Sequence, residues 1–225
     1  MIEEWLSHLE KYALSPHHMC SYTPYSTWVN KEVARTYLKK YFLSEKDYIK
    51  NWKPIQDAIF QNQDKTLPDM LFQDHLSLLA FRGGCLFEQR DFEALQHCAQ
   101  ALGDKHLIII HKPVVYEEAP PLRMIYPSDI TWEEMMSGNY ISSVICEGSF
   151  DDYFVFSESG IWGKFASTDY DDKINPNIPP LDIIGFRPEY NALFAKHFKP
   201  LQKEDIEDMK NRLPPLYKDR CQWYI

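Results

Sequence analysis

The 225-residue sequence predicts an α+β fold, in which N-terminal helices pack on a mixed, largely antiparallel sheet and further helices follow at the C-terminal end. Three observations predict this class. Apolar residues recur at helical spacing in residues 1–70, short runs rich in β-branched and aromatic residues fill 71–186, and helical spacing returns after Pro188. We expect a single α+β domain over residues 1–225, with a helical sub-region 1–70 and a sheet-containing sub-region 71–225.

The N-terminal part contains three predicted helices. Residues 2–13 carry apolar side chains at helical spacing, and Ser15 and Pro16 then end the first helix. A second amphipathic helix begins near Val29. Ser44, with an acid three residues later, is typical of an N-cap, and the third helix continues to about residue 61.

The sheet is expected to begin after Asp74. A short apolar run over 75–82 precedes a helix that Gly103 ends, and the continuous run Leu107 to Ile110 predicts a central strand covered on both faces. The sequence LRMIY at 122–126 predicts another strand, and Thr131 caps a helical turn. A meander follows, with strands predicted at 140–146, 153–156, 163–167 and 181–185.

The C-terminal part is predicted to return to helices. Pro188 stands where a helix begins, and Tyr190, Leu193, Phe194 and His197 are expected on its inner face. A last helix is expected over about 203–213, and the aromatic tail is expected to dock back on the body.

The net charge of −9 is concentrated in one block of the chain. Residues 115–190 hold fourteen Asp or Glu against four Lys or Arg, whereas the remainder holds nineteen acids against twenty bases. Binding of nucleic acid requires a basic surface, so the chain is not expected to bind it directly. A negative field with embedded aromatic groups instead favours a basic protein partner.

Eight residues of this block are the predicted partner-binding residues. The acids are expected to accelerate encounter and choose the partner, while the aromatic groups slow dissociation. Trp162 is expected to be the apolar anchor of this set. The other seven predicted partner-binding residues are Asp151, Asp152, Tyr153, Asp169, Tyr170, Asp171 and Asp172.

A resemblance of one segment to known proteins also favours a protein partner. The run YFVFSESGIWGKFASTDY at 153–170, followed by LDIIGF at 181–186, resembles a segment of small bacterial cytoplasmic proteins, some of which look like immunity partners of polymorphic or contact-dependent toxins. The resemblance implies a protein that occludes a basic toxin domain through its acidic face. It carries over no catalytic residue and no cofactor.

Two alternatives to this function remain. The first is a hydrolase-type enzyme whose site lies between the N-terminal helices and the sheet, with His111, Cys85 or carboxylates of the acidic block. The second is an adaptor subunit with no toxin involved. Metal binding is a weaker hypothesis, because Asp169, Asp171 and Asp172 lack the spacing of a calcium loop, and His17 and His18 are adjacent side chains that tend to point apart.

The expected compartment is the cytoplasm. Five cysteines without CxxC spacing are typical of free thiols in a reducing environment. The first residues, MIEEWLSHLEKY, lack the basic and apolar regions of a secretory signal. No apolar run approaches the roughly 20 residues that a membrane-spanning helix requires.

Overall fold

An antiparallel sheet of six strands forms the centre of the protein, and helices lie at both ends of the chain. The structure is a computed structural model that describes residues 2–4, 6–7, 31–67, 69–82, 89–112, 122–137, 152–166, 181–198, 206–207, 210–211 and 213–222. The α+β class predicted from the sequence is confirmed.

The strands follow the chain in an order that leaves β1 and β3 at the edges. They are β1 (Ser77–Arg82), β2 (His106–Lys112), β3 (Arg123–Pro127), β4 (Asp152–Ser157), β5 (Trp162–Ala166) and β6 (Leu181–Phe186), in the spatial order β1-β6-β5-β4-β2-β3. The predicted meander is confirmed for β4, β5 and β6. The run Leu107 to Ile110 lies in β2, which is an internal strand between β4 and β3 and is buried on both faces, as predicted. The strand predicted at 140–146 lies outside the described residues.

Seven helices are named among the described residues. They are α1 (Lys31–Tyr41), α2 (Glu45–Asp47), α3 (Lys53–Ile59), α4 (Gln89–Ala101), α5 (Trp132–Met136), α6 (Asn191–His197) and α7 (Pro215–Lys218). A π-helical turn, Tyr48–Trp52, joins α2 to α3, and a 3₁₀ turn, Pro188–Tyr190, precedes α6. Within the described ranges, no helix is both long and apolar enough to cross a bilayer.

The predicted helix ends at Ser44, Gly103 and Thr131 are confirmed. The Ser44 hydroxyl accepts a 3.1 Å hydrogen bond from the Asp47 backbone N–H, and the Thr131 hydroxyl accepts the same bond from Glu134. Gly103 follows α4 with a φ of 80°, the left-handed conformation that ends a helix without a Cβ penalty. These local signals determine where α2 and α5 begin and where α4 ends.

Both faces of the sheet are buried, each under its own hydrophobic core. The first face carries Leu79, Ile109, Val155, Trp162 and Ile184, and packs against α1, α4, α5 and α6. The second face carries Leu78, Ile108, Phe154, Phe165 and Ile183, and packs against α3, residues 60–76 and α7. Residues of both predicted sub-regions therefore share each core.

The edge strands are each met by a backbone segment from elsewhere in the chain. Phe42 forms a bridge with Met124 of β3, and the Leu43 N–H donates a 2.8 Å hydrogen bond to Arg123. At β1, the Gln222 N–H donates a 2.7 Å bond to the Leu78 carbonyl beside a bridge to Cys221. The predicted docking of the tail is confirmed for these residues, and the sheet is protected from edge pairing at both positions.

Two paired glycines open a slot on the second face. Gly163 of β5 is opposite Gly185 of β6, and the rings of Phe60 and Phe72 lie over them with their centroids 5.2 Å apart. A Cβ at Gly163 would lie 2.5 Å from Phe60 Cζ, and one at Gly185 would lie closer still to Phe72 Cδ1. Only glycine at both positions lets the two rings reach the sheet.

We expect the Gly185→Ala variant to lose about 3 kcal/mol of unfolding free energy in urea, because its methyl group overpacks against the Phe72 ring. The matched control is Gly103→Ala, whose Cβ meets no atom within 4 Å and which loses only about 1 kcal/mol through its positive φ. Equal losses in the two variants would contradict the claim that the Phe72 ring leaves no room for a side chain at position 185.

Candidate functional site

At one end of the sheet, three neighbouring strands, β4, β5 and β6, connect along the chain to the segments that carry the predicted acidic residues. We call this the Asp152 end, defined by Arg82, Leu181, Ala166, Asp152, Lys112 and Arg123. Asp151 immediately precedes Asp152, and residues 167–180 join Ala166 to Leu181. The opposite end, called the Ser157 end, is defined by Ser77, Phe186, Trp162, Ser157, His106 and Pro127.

A buried ion pair lies on the first face near the Asp152 end. The Lys164 ammonium of β5 lies 2.7 Å from the Asp182 carboxylate of β6, and their side chains are 0% and 2% exposed. Lys164 is opposite Ile184, two residues beyond Asp182, so both side chains point to the same face of neighbouring strands. The Phe81 ring lies 5.7 Å from the ammonium. Each charge is thus compensated inside an otherwise apolar layer.

A histidine and a tyrosine stand beside each other on the same face. His111 of β2 is directly opposite Tyr153 of β4, with ring centroids 5.1 Å apart. Both side chains are buried, so neither ring presents a surface to solvent. This places His111, a catalytic candidate, within the protein interior.

A second lysine–aspartate pair lies on the opposite face. The Lys112 ammonium is 3.8 Å from the Asp152 carboxylate, and it also donates a hydrogen bond to the Lys65 carbonyl. Burial lowers the pKa of Lys112, because a desolvated ammonium is disfavoured, and the Asp152 charge opposes that shift. The charge of Asp152 is therefore offset locally and contributes little to an external negative field.

Trp162 is held at the Ser157 end by a buried carboxylate. Asp104 accepts hydrogen bonds from the Ser157 hydroxyl at 2.6 Å, the Ser159 N–H at 2.9 Å and the Trp162 indole N–H at 3.4 Å. This network fastens the β4–β5 hairpin to the turn between α4 and β2. Trp162 is thus a core side chain with a polar contact at its edge.

Three of the predicted partner-binding residues need correction. Asp152, Tyr153 and Trp162 are at most 1% exposed, so they do not form the predicted surface. The cause is the second covered face, which buries both sides of β4 and β5 where a one-sided sheet would expose one. Asp151, Asp169, Tyr170, Asp171 and Asp172 lie outside the described residues, so their role stays a prediction.

The described thiols do not resemble nucleophiles. Burial raises the pKa of both Cys98 and Cys221 to about 12, which keeps them protonated near neutral pH. No group of three or more His, Cys, Asp or Glu that could hold a metal occurs in the described ranges. Cys85, His17 and His18 lie outside these ranges.

The Lys164–Asp182 pair was not predicted from the sequence. Its signal was one charged residue within each of two apolar strands, WGKFA and LDIIGF, at positions that point to the core. A buried charge in one strand requires an opposite charge nearby, so two such strands in one meander predict a cross-strand pair.

Lys164→Met is expected to destabilise the protein by about 4 kcal/mol, because the change leaves Asp182 as an uncompensated buried charge. The double variant Lys164→Met/Asp182→Leu removes both charges and should recover most of that loss. Urea unfolding of the two single variants and the double variant measures the coupling. Additive losses would contradict a direct pair.

In comparisons with known proteins, no protein-family model, no curated protein and no solved structure matches the chain.

Proposed function

We propose that the protein is a protein-binding module that neutralises a basic partner, of the kind formed by immunity proteins and their toxins, through the Asp152 end of its sheet. The acidic segments attached there attract and select the partner. Asp152 and Tyr153 are buried at that end and support it, whereas Trp162 is buried at the opposite, Ser157 end.

The attachment of the acidic segments to neighbouring strands is the observation that carries this proposal. β4, β5 and β6 are adjacent, and Asp152, Ala166 and Leu181 are at the same end of the sheet. Strands in a sheet are about 4.8 Å apart, so the outer two of these three attachment points are separated by about 10 Å. Asp151 and Asp169 are one and three residues from such points along the chain.

The buried positive and negative charges of the sheet balance one another. Lys164 is paired with Asp182, and Lys112 lies close to Asp152, so these four side chains contribute no net charge. The negative field therefore depends on the acids outside the core. A concentrated field of this kind accelerates association with a basic surface and weakens as salt is added.

Other ways of binding or acting receive less support from the described residues. Both edge strands already pair with Phe42 or Cys221, which disfavours the addition of a partner strand at those positions. For the hydrolase alternative, the His111 side chain is buried against Tyr153 and has little contact with solvent. The end of the sheet is thus the better candidate for contact.

The cytoplasm is the compartment in which we place this binding. Cys98 and Cys221 are free thiols in the structure, which fits a reducing environment. An immunity protein acts where its toxin would otherwise damage the cell, and the resemblance of the 153–170 segment is to bacterial cytoplasmic proteins.

Neutralising the acids should slow capture of the partner. We expect Asp169→Asn/Asp171→Asn/Asp172→Asn to lower the association rate by about tenfold at low salt, with a smaller change in the dissociation rate. The partner is first retained from a lysate of the source cell and identified by mass spectrometry. Stopped-flow kinetics with that purified partner then give both rates over a range of salt concentrations.

The matched control removes the same charge at a distance from the Asp152 end. Asp129 and Glu189 follow strands that finish at the Ser157 end, and Glu133 lies on α5; all three are exposed. The triple variant Asp129→Asn/Glu133→Gln/Glu189→Gln should keep the association rate within about twofold, since screening weakens more distant charges. Equal slowing in both triple variants would show that net charge acts without a local surface.

A further inference from the structure

Two histidines from different helices meet on the outside of the helical layer. His97 of α4 and His197, the last residue of α6, have ring centroids 5.3 Å apart. His97 is exposed and His197 is half-buried, so solvent ions can reach the pair. From this geometry we propose that His97 and His197 form a zinc-binding site that ties α4 to α6.

The separation of the rings fits one shared tetrahedral ion. A zinc–nitrogen bond is about 2.0 Å long, which puts each ring centre about 3.2 Å from the ion and two ring centres about 5.2 Å apart. The observed separation is 5.3 Å. The ring planes lie within 15° of parallel, and the terminal torsion of histidine is broad enough for the rings to turn their nitrogens toward one ion.

The two side chains determine which class of metal ion fits. Neutral imidazole is a common ligand of zinc, whereas magnesium and calcium prefer oxygen. Lys196 is the nearby cation that opposes binding. With two protein ligands, water completes the coordination and the ion exchanges readily.

A bound ion would stabilise the packing of α4 and α6 over the first face of the sheet. α4 packs against α6, and Phe194 of α6 stacks on Phe186 of β6 with ring centroids 4.4 Å apart. An ion that binds only the folded arrangement stabilises it in proportion to its concentration over Kd. This site is separate from the Asp152 end and does not depend on the proposed partner.

Zinc chloride titrated into metal-free protein tests the site, with isothermal calorimetry and the thermal midpoint as readouts. The wild type should show a site for one ion and a higher midpoint with zinc. His97→Ala and His197→Ala should each weaken that site at least tenfold and abolish the midpoint shift. His75→Ala, a change at an exposed histidine in a turn, should leave both unchanged. Magnesium chloride should have no effect.

The zinc-induced shifts of histidine ring signals in NMR spectra separate this site from binding to thiols. The signals of His97 and His197 should move together. If either alanine variant unfolds, His97→Gln and His197→Gln keep a polar side chain at the same position and replace it in both measurements. Absence of zinc binding at millimolar concentration, or affinity lost in only one or neither variant, would overturn the proposal.

Discussion

The Lys164–Asp182 ion pair is the constraint on which the arrangement of the protein depends most. Both charges lie within the first core, 2.7 Å apart and almost completely excluded from solvent. If β5 slipped by one residue against β6, Lys164 would turn to the other face and leave Asp182 without its partner. The pair therefore fixes the register of β5 and β6. That register places Ala166 and Leu181 together at the Asp152 end.

The two faces hold this register in different ways. On the first face the constraint is electrostatic, and the Phe194 ring of α6 packs on both Trp162 and Phe186. On the second face it is steric, because Phe60 and Phe72 fit over Gly163 and Gly185. A slip would put side chains where the rings now lie. The register is therefore held by paired charges on the first face and by close packing on the second.

The helices and strands could be predicted from the sequence, but the packing of segments on both faces of the sheet could not. Period and caps predicted α1, the Ser44 and Thr131 caps and the β4–β5–β6 meander, because these depend on residues close along the chain. The burial of Tyr153 and Trp162 was not predicted, since it depends on distant segments that cover the second face. Composition alone also placed Asp152 at the surface, although its charge lies beside Lys112. Likewise, His197 was assigned to the inner face of its helix, but it lies half-buried beside His97.

The central functional claim is that the partner contacts the Asp152 end. Hydrogen–deuterium exchange with and without the captured partner tests it directly. If the partner contacts the Asp152 end, binding will protect peptides covering 138–151 and 167–180, while peptides covering Asp129 to Ser137 and Arg187 to His197 exchange as before. Protection confined to α4, α6 or the Ser157 end would show that the partner contacts another surface.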